Sequence, residues 1–350
     1  MTTPKADHIV VYWGRRGGGL DLFNHFIDDC KHLGVSIVSS NRPTYRGRDG
    51  KPYPISFMNA RAWFHARKLL LNQVSEGQYK TVVFIMSSPW DLFLGKKLLR
   101  KGAQVVRIIH DSQPHPGEKF PPNFWIKMLT KDCSRIVTLS NYVASQLIVH
   151  HGVDSQKILV CRFPIPKVTN KQSVKNAPPK KILLTGRGKK YQGQHLLEAA
   201  WDLLDKTDKE LVIAGEGFKP NSKHPDIIYK NWWMTHEEMI GEISSSDLVV
   251  FPYTEASQSG TIPICRALEK PVVATPVGGL IEQVEHGVNG LVCEEVSKVK
   301  LAQSISDALK MNWSEGNFNT DLKTARLVEG CLLGGRRSSF EPNFKAEEKS

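Results

Sequence analysis

The sequence predicts an α/β protein built from two doubly wound, Rossmann-like parallel-sheet domains that face each other across a cleft. Short runs of β-branched and other apolar residues recur along the chain. These runs are continuously apolar, as expected for parallel strands covered by helices on both faces. The segments between them carry apolar residues at helical spacing. Because the whole pattern occurs twice in 350 residues, two domains of ordinary size are expected.

The predicted strands fall into two series with helices between them. The first series is HIVVYW at 8, VSIVSS at 35, TVVFIM at 81, QVVRII at 104 and RIVTLS at 135. The second is KILLTG at 181, ELVIAG at 210, DIIYKN at 226, DLVVFPY at 247, PVVAT at 271 and GLVC at 290. In the second series, Thr235 and Glu238 of THEE form a predicted capping box at a helix start.

A stretch rich in Pro, Lys and Asn, FPIPKVTNKQSVKNAPPK, separates the two series. We therefore predict a first domain over residues 1–165, a linker over 166–180 and a second domain over 181–312. The apolar pattern weakens beyond this point. Residues 313–350 are predicted to form a C-terminal tail that is partly disordered.

Composition narrows the choice of partners. The formal charge of +12 indicates an anionic partner such as a nucleotide, a nucleic acid or acidic lipid headgroups. The basic groups lack the interleaved aromatic residues of a single-strand nucleic-acid groove, which disfavours nucleic acid. Six scattered cysteines without a C-x-x-C pair predict neither a disulfide framework nor a zinc site. With no apolar run typical of a signal peptide or a membrane span, a cytoplasmic location is expected.

Two glycine-containing loops at predicted strand ends are candidate anion sites. Gly18 and Gly19 of WGRRGGGLD precede a helix and leave amides free for an anion, although a loose turn is the alternative. In LLTGRGKKYQG, Arg187 and Lys190 bring positive charge to a strand end, where they could offset a diphosphate. A solvated loop is the alternative for the lysine. Neither loop has the glycine spacing of dinucleotide binders.

A third loop, TEASQSGT, follows the strand DLVVFPY. Ser259, Gly260 and Thr261 lie at a predicted helix start, whose amides would attract a phosphate. Glu255 would instead accept hydrogen bonds from sugar hydroxyls. The alternative is that Glu255 and Ser257 only cap the helix.

Other candidates lie at further strand ends. In RIIHDSQPHP, His110 ends the fourth strand and is expected to face the cleft. Trp232 and Trp233 follow a strand where a nucleotide base could stack, although burial in the core is the alternative. No D-x-D motif occurs, so no metal site is predicted.

Taken together, TGRGKKYQG, LVIAGEG, SSSDLVVFPY, EASQSG, KPVVATPVGGLIE and HGVNGLV resemble the GT-B fold glycosyltransferases of family 4, in an SQSG-type branch. GGG and IIHD extend the resemblance into the first half, so that it covers about residues 8–311. It implies a retaining, metal-independent hexosyltransferase without a cofactor, whose substrate is a UDP- or GDP-sugar. The acceptor would be a glycan or a lipid-linked glycan, in cell-surface polysaccharide or glycolipid biosynthesis.

The resemblance also implies residue roles. Arg187 would pair with the diphosphate, assisted by Lys190 and by the amides of Ser259, Gly260 and Thr261, with Ser257 beside them. Gly18 and Gly19 would close the other side, and His110 and Glu255 would lie beside the transferred sugar. The region of Gly215, Trp232 and Trp233 would hold the ribose and base.

The sequence departs from the family pattern at two positions. Pro263 stands where a second glutamate is usual, and Gln192 stands where a lysine is usual. These departures are not read as inactivation. A non-catalytic relative that binds a partner or a nucleotide is the alternative function, because a fold does not guarantee an activity. Basic residues near NFWIKM and KKLLRK suggest, in addition, peripheral contact with an anionic membrane.

Overall fold

The computed structural model describes residues 7–12, 18–30, 33, 35–39, 60–86, 91, 93–116, 122–163, 165–166, 179–313, 318 and 325–333. Within these ranges the chain forms two six-stranded sheets, and every strand pairing in them is parallel. The two-domain α/β prediction is confirmed.

The first sheet has the strand order β2-β1-β3-β4-β5-β6. Its strands are β1 His8–Tyr12, β2 Ser36–Ser39, β3 Thr81–Ile85, β4 Gln104–Ile109, β5 Arg135–Thr138 and β6 Ile158–Val160. The sixth strand was not among the predicted strands, because ILV is a run of only three apolar residues. The accompanying helices are α1 Gly18–Cys30, α2 Ala60–Ser75, α3 Leu94–Arg100, α4 Asn123–Lys131 and α5 Asn141–His151.

The second sheet has the order β12-β11-β10-β7-β8-β9. Its strands are β7 Lys180–Thr185, β8 Lys209–Ala214, β9 Ile227–Lys230, β10 Leu248–Phe251, β11 Val272–Ala274 and β12 Gly290–Val292. The helices of this domain are α6 Gln194–Trp201, α7 His236–Ser244, α8 Ile262–Ala267, α9 Leu280–Gln283 and α10 Lys298–Lys310. The predicted capping box is present at α7, where Thr235 Oγ1 accepts from the Glu238 amide and the Glu238 carboxylate accepts from the Thr235 amide.

Apolar cores cover both faces of the second sheet. Along β7, Ile182 and Leu184 pack into one core with Leu197 of α6, whereas Leu183 packs into the opposite core with Tyr253. All of these residues are almost fully buried. Successive strand residues point to opposite faces, so a strand buried on both sides must be apolar at every position. This is the physical reason for the continuous apolar runs.

Part of the C-terminal segment belongs to the first domain. Residues 325–333 form α11 Ala325–Val328 and a π-helical turn, Glu329–Leu333. Leu327, Val328, Cys331 and Leu332 are buried in a core with Phe26 of α1. This stretch lies within the segment predicted as a partly disordered C-terminal tail, and the structure packs it against the first domain. The apolar residues are too few and too close to Gly330 to stand out as a helix in the sequence, and only packing against the first sheet stabilises them.

Candidate functional site

The two most informative loops meet at one point of the second sheet. Strand β7 lies between β8 and β10, and the strand order reverses direction between β7 and β10. Ligands of doubly wound sheets bind at such a switch point, beyond the carboxyl ends of the strands. The loop of Arg187 follows β7, and the loop of Glu255 follows β10. The fold thus brings two sequence-predicted loops together, although Glu255 lies 68 positions after Arg187 in the chain.

The Arg187 loop is held in shape by Gln192, which is 94% buried, since only 6% of it is exposed. Its side-chain oxygen accepts from the amides of Arg187, at 3.0 Å, and of Lys189, at 3.2 Å. Its side-chain nitrogen donates to the Tyr253 hydroxyl at 3.0 Å. Gln192, which stands where a lysine is usual, therefore acts as a bracket: its hydrogen bonds hold the Arg187 loop to Tyr253. The sequence did not predict this role, because a linear pattern does not show hydrogen-bond partners.

Tyr253 connects the Arg187 loop to the corner formed by Ser259, Gly260 and Thr261. Burial raises the pKa of the Tyr253 hydroxyl, while Ser259, Gln192 and the positive charge of Arg187 act in the opposite direction. The same hydroxyl thus contacts groups from both loops. Within the described ranges, no ion pair fixes the Arg187 guanidinium, and the side chain is exposed. Its charge is available to an anion.

Glycine is required at two places beside Arg187. Gly193 has a φ of 71°, and a Cβ on it would lie 1.8 Å from the Pro252 carbonyl oxygen. Gly215 has a φ of 133°, and its Cβ would lie 1.9 Å from the Gly186 oxygen. Larger residues are excluded by both the dihedral angle and the contact. These glycines let the loops after β7, β8 and β10 pack directly against one another.

The corner at 259–261 is only partly available to a phosphate. The Ser259 amide already donates to the Gln283 side chain at 2.7 Å, and Gln283 donates back to the Ser259 carbonyl at 2.9 Å. The Thr261 amide reaches the Ser259 hydroxyl at 3.3 Å. The expectation that the Ser259 amide binds a phosphate is therefore corrected, because Gln283 occupies it. The Gly260 amide remains the candidate donor of this corner, and Ser259 shapes the corner rather than offering its amide.

His110 and Glu255, from different domains, are linked through two further residues. His110 Nε2 lies 3.0 Å from the Asp111 carboxylate, and His115 Nε2 lies 3.2 Å from the other Asp111 oxygen. His115 Nδ1 lies 2.7 Å from Glu255 Oε2. The His115 ring also stacks on Tyr191, with 4.4 Å between the ring centroids. His115 was not predicted, although the second histidine of HDSQPHP was visible in the sequence.

The carboxylates and histidines of this cluster shift the pKa values of their neighbours. Burial acts to lower the pKa of His115, but hydrogen bonds to Asp111 and Glu255 outweigh it and raise that pKa to about 10. Burial acts to raise the pKa of Asp111, but His110 and His115 outweigh it and hold that pKa well below its ordinary value. At neutral pH, His115 is therefore a cation between two carboxylates.

Two more contacts join the domains next to this cluster. Glu282 of α9 accepts from the backbone amides of Asn141 and Tyr142, each at 2.7 Å, and so places a carboxylate at the amino end of α5. The Ser140 hydroxyl donates to the Ser257 carbonyl at 3.3 Å. A negative charge at a helix start is favourable. Ser257 is thereby part of the domain interface, and the described cap of α8 receives no side-chain hydrogen bond from it.

The remaining predicted residues lie around this centre. Gly18 and Gly19 are the first residues of α1, whereas the rest of the predicted glycine loop, 13–17, lies outside the described residues. Trp232 and Trp233 are half-buried after β9. The preceding Asn231 accepts from the Gly217 amide at 3.0 Å, so the tryptophan loop borders the loop of Gly215.

Among the described residues, no hydrogen bond or ion pair joins Lys190 to the corner at 259–261. It is exposed and lines a surface pocket of about 390 Å³ on the α6 side of the Arg187 loop, together with Lys189, His195 and Lys219. Within the described part of the chain, no cluster of three His, Cys, Asp or Glu side chains is arranged to hold a metal ion. Every helix in that part is also too short or too polar to cross a membrane.

Comparison with known proteins identifies the second domain. Residues 179–311 match the family model for Glycosyl transferases group 1, so this domain is of that kind. A GDP-mannose-dependent alpha-mannosyltransferase of Corynebacterium glutamicum is 29% identical over 189 residues, covering 49% of this chain and 43% of that protein. A D-inositol 3-phosphate glycosyltransferase of Pseudarthrobacter chlorophenolicus is 22% identical over 262 residues, covering 68% and 61%. The matched regions thus span less than two thirds of either relative.

Solved structures show the same fold over nearly the whole chain. WaaG, a glycosyltransferase involved in lipopolysaccharide biosynthesis, matches with a TM-score of 0.63 at 14% identity, covering 94% of this chain and 100% of that one. HepE of Anabaena, solved in complex with UDP and glucose, matches with a TM-score of 0.63 at 13% identity, covering 93% and 95%. The predicted GT-B architecture is confirmed.

Proposed function

We propose that this chain, whose residues 179–311 form a Glycosyl transferases group 1 domain, is a retaining, metal-independent hexosyltransferase that uses a nucleotide-sugar donor. The observation that carries this proposal is the meeting of the Arg187 and Glu255 loops at the switch point of the second sheet. One loop offers a guanidinium and the other a carboxylate. A nucleotide sugar needs both, because its diphosphate is anionic and its sugar carries hydroxyl donors.

The proposed mechanism assigns charge neutralisation to the protein. The Arg187 guanidinium, with the Gly260 amide, would stabilise the negative charge that develops on the leaving diphosphate. Glu255 would accept hydrogen bonds from the sugar hydroxyls and fix the ring, while His110 would lie on the first-domain side of that sugar. The donor phosphate would help to take the acceptor proton on the same face, so that the anomeric configuration is retained. Most of the rate enhancement would come from orientation and electrostatics.

The donor is proposed to be a UDP- or GDP-sugar. The Corynebacterium relative is named as GDP-mannose-dependent, and HepE was solved with UDP and glucose. In this chain the half-buried Trp232 and Trp233 border the loops of Gly215 and Arg187 through Asn231. An aromatic side chain there would stack on either base. No cofactor is required by this chemistry, and Lys190 would contribute only long-range positive charge.

The acceptor is proposed to be a glycan or a lipid-linked glycan, with the first domain resting peripherally on the cytoplasmic face of an anionic membrane. Helices α3 and α4 are neighbours, since a Cβ on Gly95 would lie 2.2 Å from the Asp132 carbonyl oxygen. Lys96, Lys97 and Lys127 are exposed, and Phe124 is 70% exposed. NFWIKM is only partly exposed, because its central residues Trp125 and Ile126 are buried.

The first experiment is a thermal-shift screen of UDP- and GDP-sugars, followed by a transfer assay with the stabilising donor. A ligand present at 100 times its Kd stabilises the native state by about 2.7 kcal/mol. Arg187→Ala should abolish the shift, whereas Arg162→Ala, an exposed arginine of the first domain, should retain it. A donor that stabilises both variants equally would remove Arg187 from the proposed site.

A non-catalytic binding role is the second candidate. Pro263 stands where the family has a second carboxylate, and it is buried within α8. If donors bind but neither hydrolysis nor transfer is detected with any acceptor preparation, this second role is favoured. Turnover that disappears in Glu255→Gln would exclude it.

A further inference from the structure

His115 occupies a position that the proposed transferase function does not yet explain. It lies in the loop after β4 of the first domain, and its ring nitrogens contact carboxylates on both sides of the cleft. The side chain is only 11% exposed. Its ring also stacks against Tyr191, two residues before Gly193 and next to the Gln192 bracket, at an interplanar angle of 21°.

The charge pattern explains why a cation is needed there. Asp111 comes from the first domain and Glu255 from the second, so the packing of the two domains places two carboxylates near the same point. Without a shared positive group these charges would repel each other. The described groups that face the His115 ring are the carboxylates of Asp111 and Glu255 and the ring of Tyr191, with His110 on the far side of Asp111.

The contact with Glu255 also selects one of its two oxygens. His115 Nδ1 meets Oε2, at 2.7 Å. The carboxylate is held at one oxygen, and its rotation is restricted. If Glu255 contacts the donor sugar as proposed above, Oε1 is the oxygen left to accept from a sugar hydroxyl.

We propose that His115 is a positioning residue for Glu255: held between Asp111 of the first domain and Glu255 of the second, it orients the Glu255 carboxylate and stabilises the contact between the two domains. The proposal rests on the transferase function for its kinetic consequence only. The bridge itself is a property of the unliganded protein and is tested separately. The pKa of His115, raised to about 10, agrees with an imidazole that is hydrogen-bonded to two carboxylates.

The first test is nitrogen NMR of the protein labelled with ¹⁵N-histidine. One imidazole should stay protonated at both nitrogens from pH 6 to pH 9, and its signal should be missing from His115→Gln. The matched control is His224→Gln, because His224 is also 11% exposed and also pairs with an aspartate, Asp202, at 3.3 Å. In Glu255→Gln the same imidazole should lose its proton at lower pH. An imidazole of His115 that titrates at an ordinary pKa near 6.5 would overturn the proposal.

The second test is steady-state kinetics with the donor found in the screen. His115→Gln should lower kcat by about ten- to a hundredfold through misplacement of Glu255. The Kd for UDP or GDP alone should stay within about twofold of the wild-type value, since His115 does not contact the Arg187 guanidinium. His224→Gln should leave both quantities unchanged. An unchanged kcat, or a parallel loss of nucleotide affinity, would contradict a positioning role.

The two tests fail in different ways. If no nucleotide sugar is turned over, the proposed transferase function fails, while the NMR experiment still decides whether His115 bridges the domains. If turnover is found but His115→Gln is fully active, the transferase function stands and the positioning role is refuted. Should His115→Gln fail to fold, the shift of the wild-type imidazole caused by Glu255→Gln decides the matter.

Discussion

Replacing Gln192 by leucine tests the network that joins the two loops of the proposed donor site. Leucine has nearly the size of glutamine but no polar group. The change removes the acceptor of the Arg187 and Lys189 amides and the donor to the Tyr253 hydroxyl. Because Gln192 is buried, water cannot simply take its place at Tyr253.

The expected cost follows from these three hydrogen bonds. A net hydrogen bond contributes about 0.5–1.5 kcal/mol, and a buried group left without a partner costs about 1–3 kcal/mol. Arg187 and Lys189 are exposed residues, so water can satisfy part of their amides. We therefore expect a loss of about 1–3 kcal/mol, most of it at Tyr253. For a domain of this size that corresponds to a fall in Tm of roughly 2–10 °C.

Differential scanning calorimetry of the whole chain measures this effect. The control is Gln303→Leu, an exposed position of α10 in the same domain, where the change should stay within about 0.5 kcal/mol. Nucleotide affinity should fall with Gln192→Leu, because the Arg187 loop loses its bracket. A melting temperature and an affinity equal to those of Gln303→Leu would refute the role assigned to Gln192.

Further predictions concern the domain interface and the helix starts. Glu282→Ala should weaken the contact between the domains, because it removes the carboxylate from the start of α5. Small-angle scattering should then show a larger radius of gyration. An unchanged radius would contradict the role of this contact. Stability should fall as pH rises from about 6.5 toward 10, because the folded-state pKa of His115 is raised to about 10; His115→Gln should flatten this slope in denaturant titrations. Thr235→Ala should cost about 1 kcal/mol through loss of the α7 cap, and Thr207→Ala, on an exposed turn, serves as its comparison. Gly193→Ala should prevent stable folding of the second domain, since its Cβ would lie 1.8 Å from a carbonyl oxygen; a soluble variant with the wild-type Tm would refute this.

Local patterns in the sequence were enough to predict two of the candidate site residues. Arg187 and Glu255 were predicted because charged or polar residues after buried strands must lie at one edge of a parallel sheet. Ser259 illustrates the limit of this reasoning. Its place at a helix start suggested an amide open to phosphate, but Gln283 occupies that amide from a later helix. Such competition depends on which segments meet in space, and no spacing in the sequence encodes it.

His115 and residues 325–333 show the same limit at a longer range. A second histidine in HDSQPHP is an ordinary surface residue until Glu255 of the other domain lies 2.7 Å from it. The apolar residues around Cys331 form too short a pattern to predict a helix, yet they complete the core beside α1. Both features arise only when distant segments pack together.

The sequence alone determined the fold class, the division into two sheet domains and eleven of the twelve strands of the described structure, because doubly buried strands must be continuously apolar and this requirement is local. The tertiary structure decided which polar groups are partners. It placed Gln192 between two loops, occupied the Ser259 amide and put a cationic histidine between carboxylates of opposite domains. Hydrogen bonds and ion pairs act over about 3 Å, so they follow from the relative placement of segments that lie far apart in the chain.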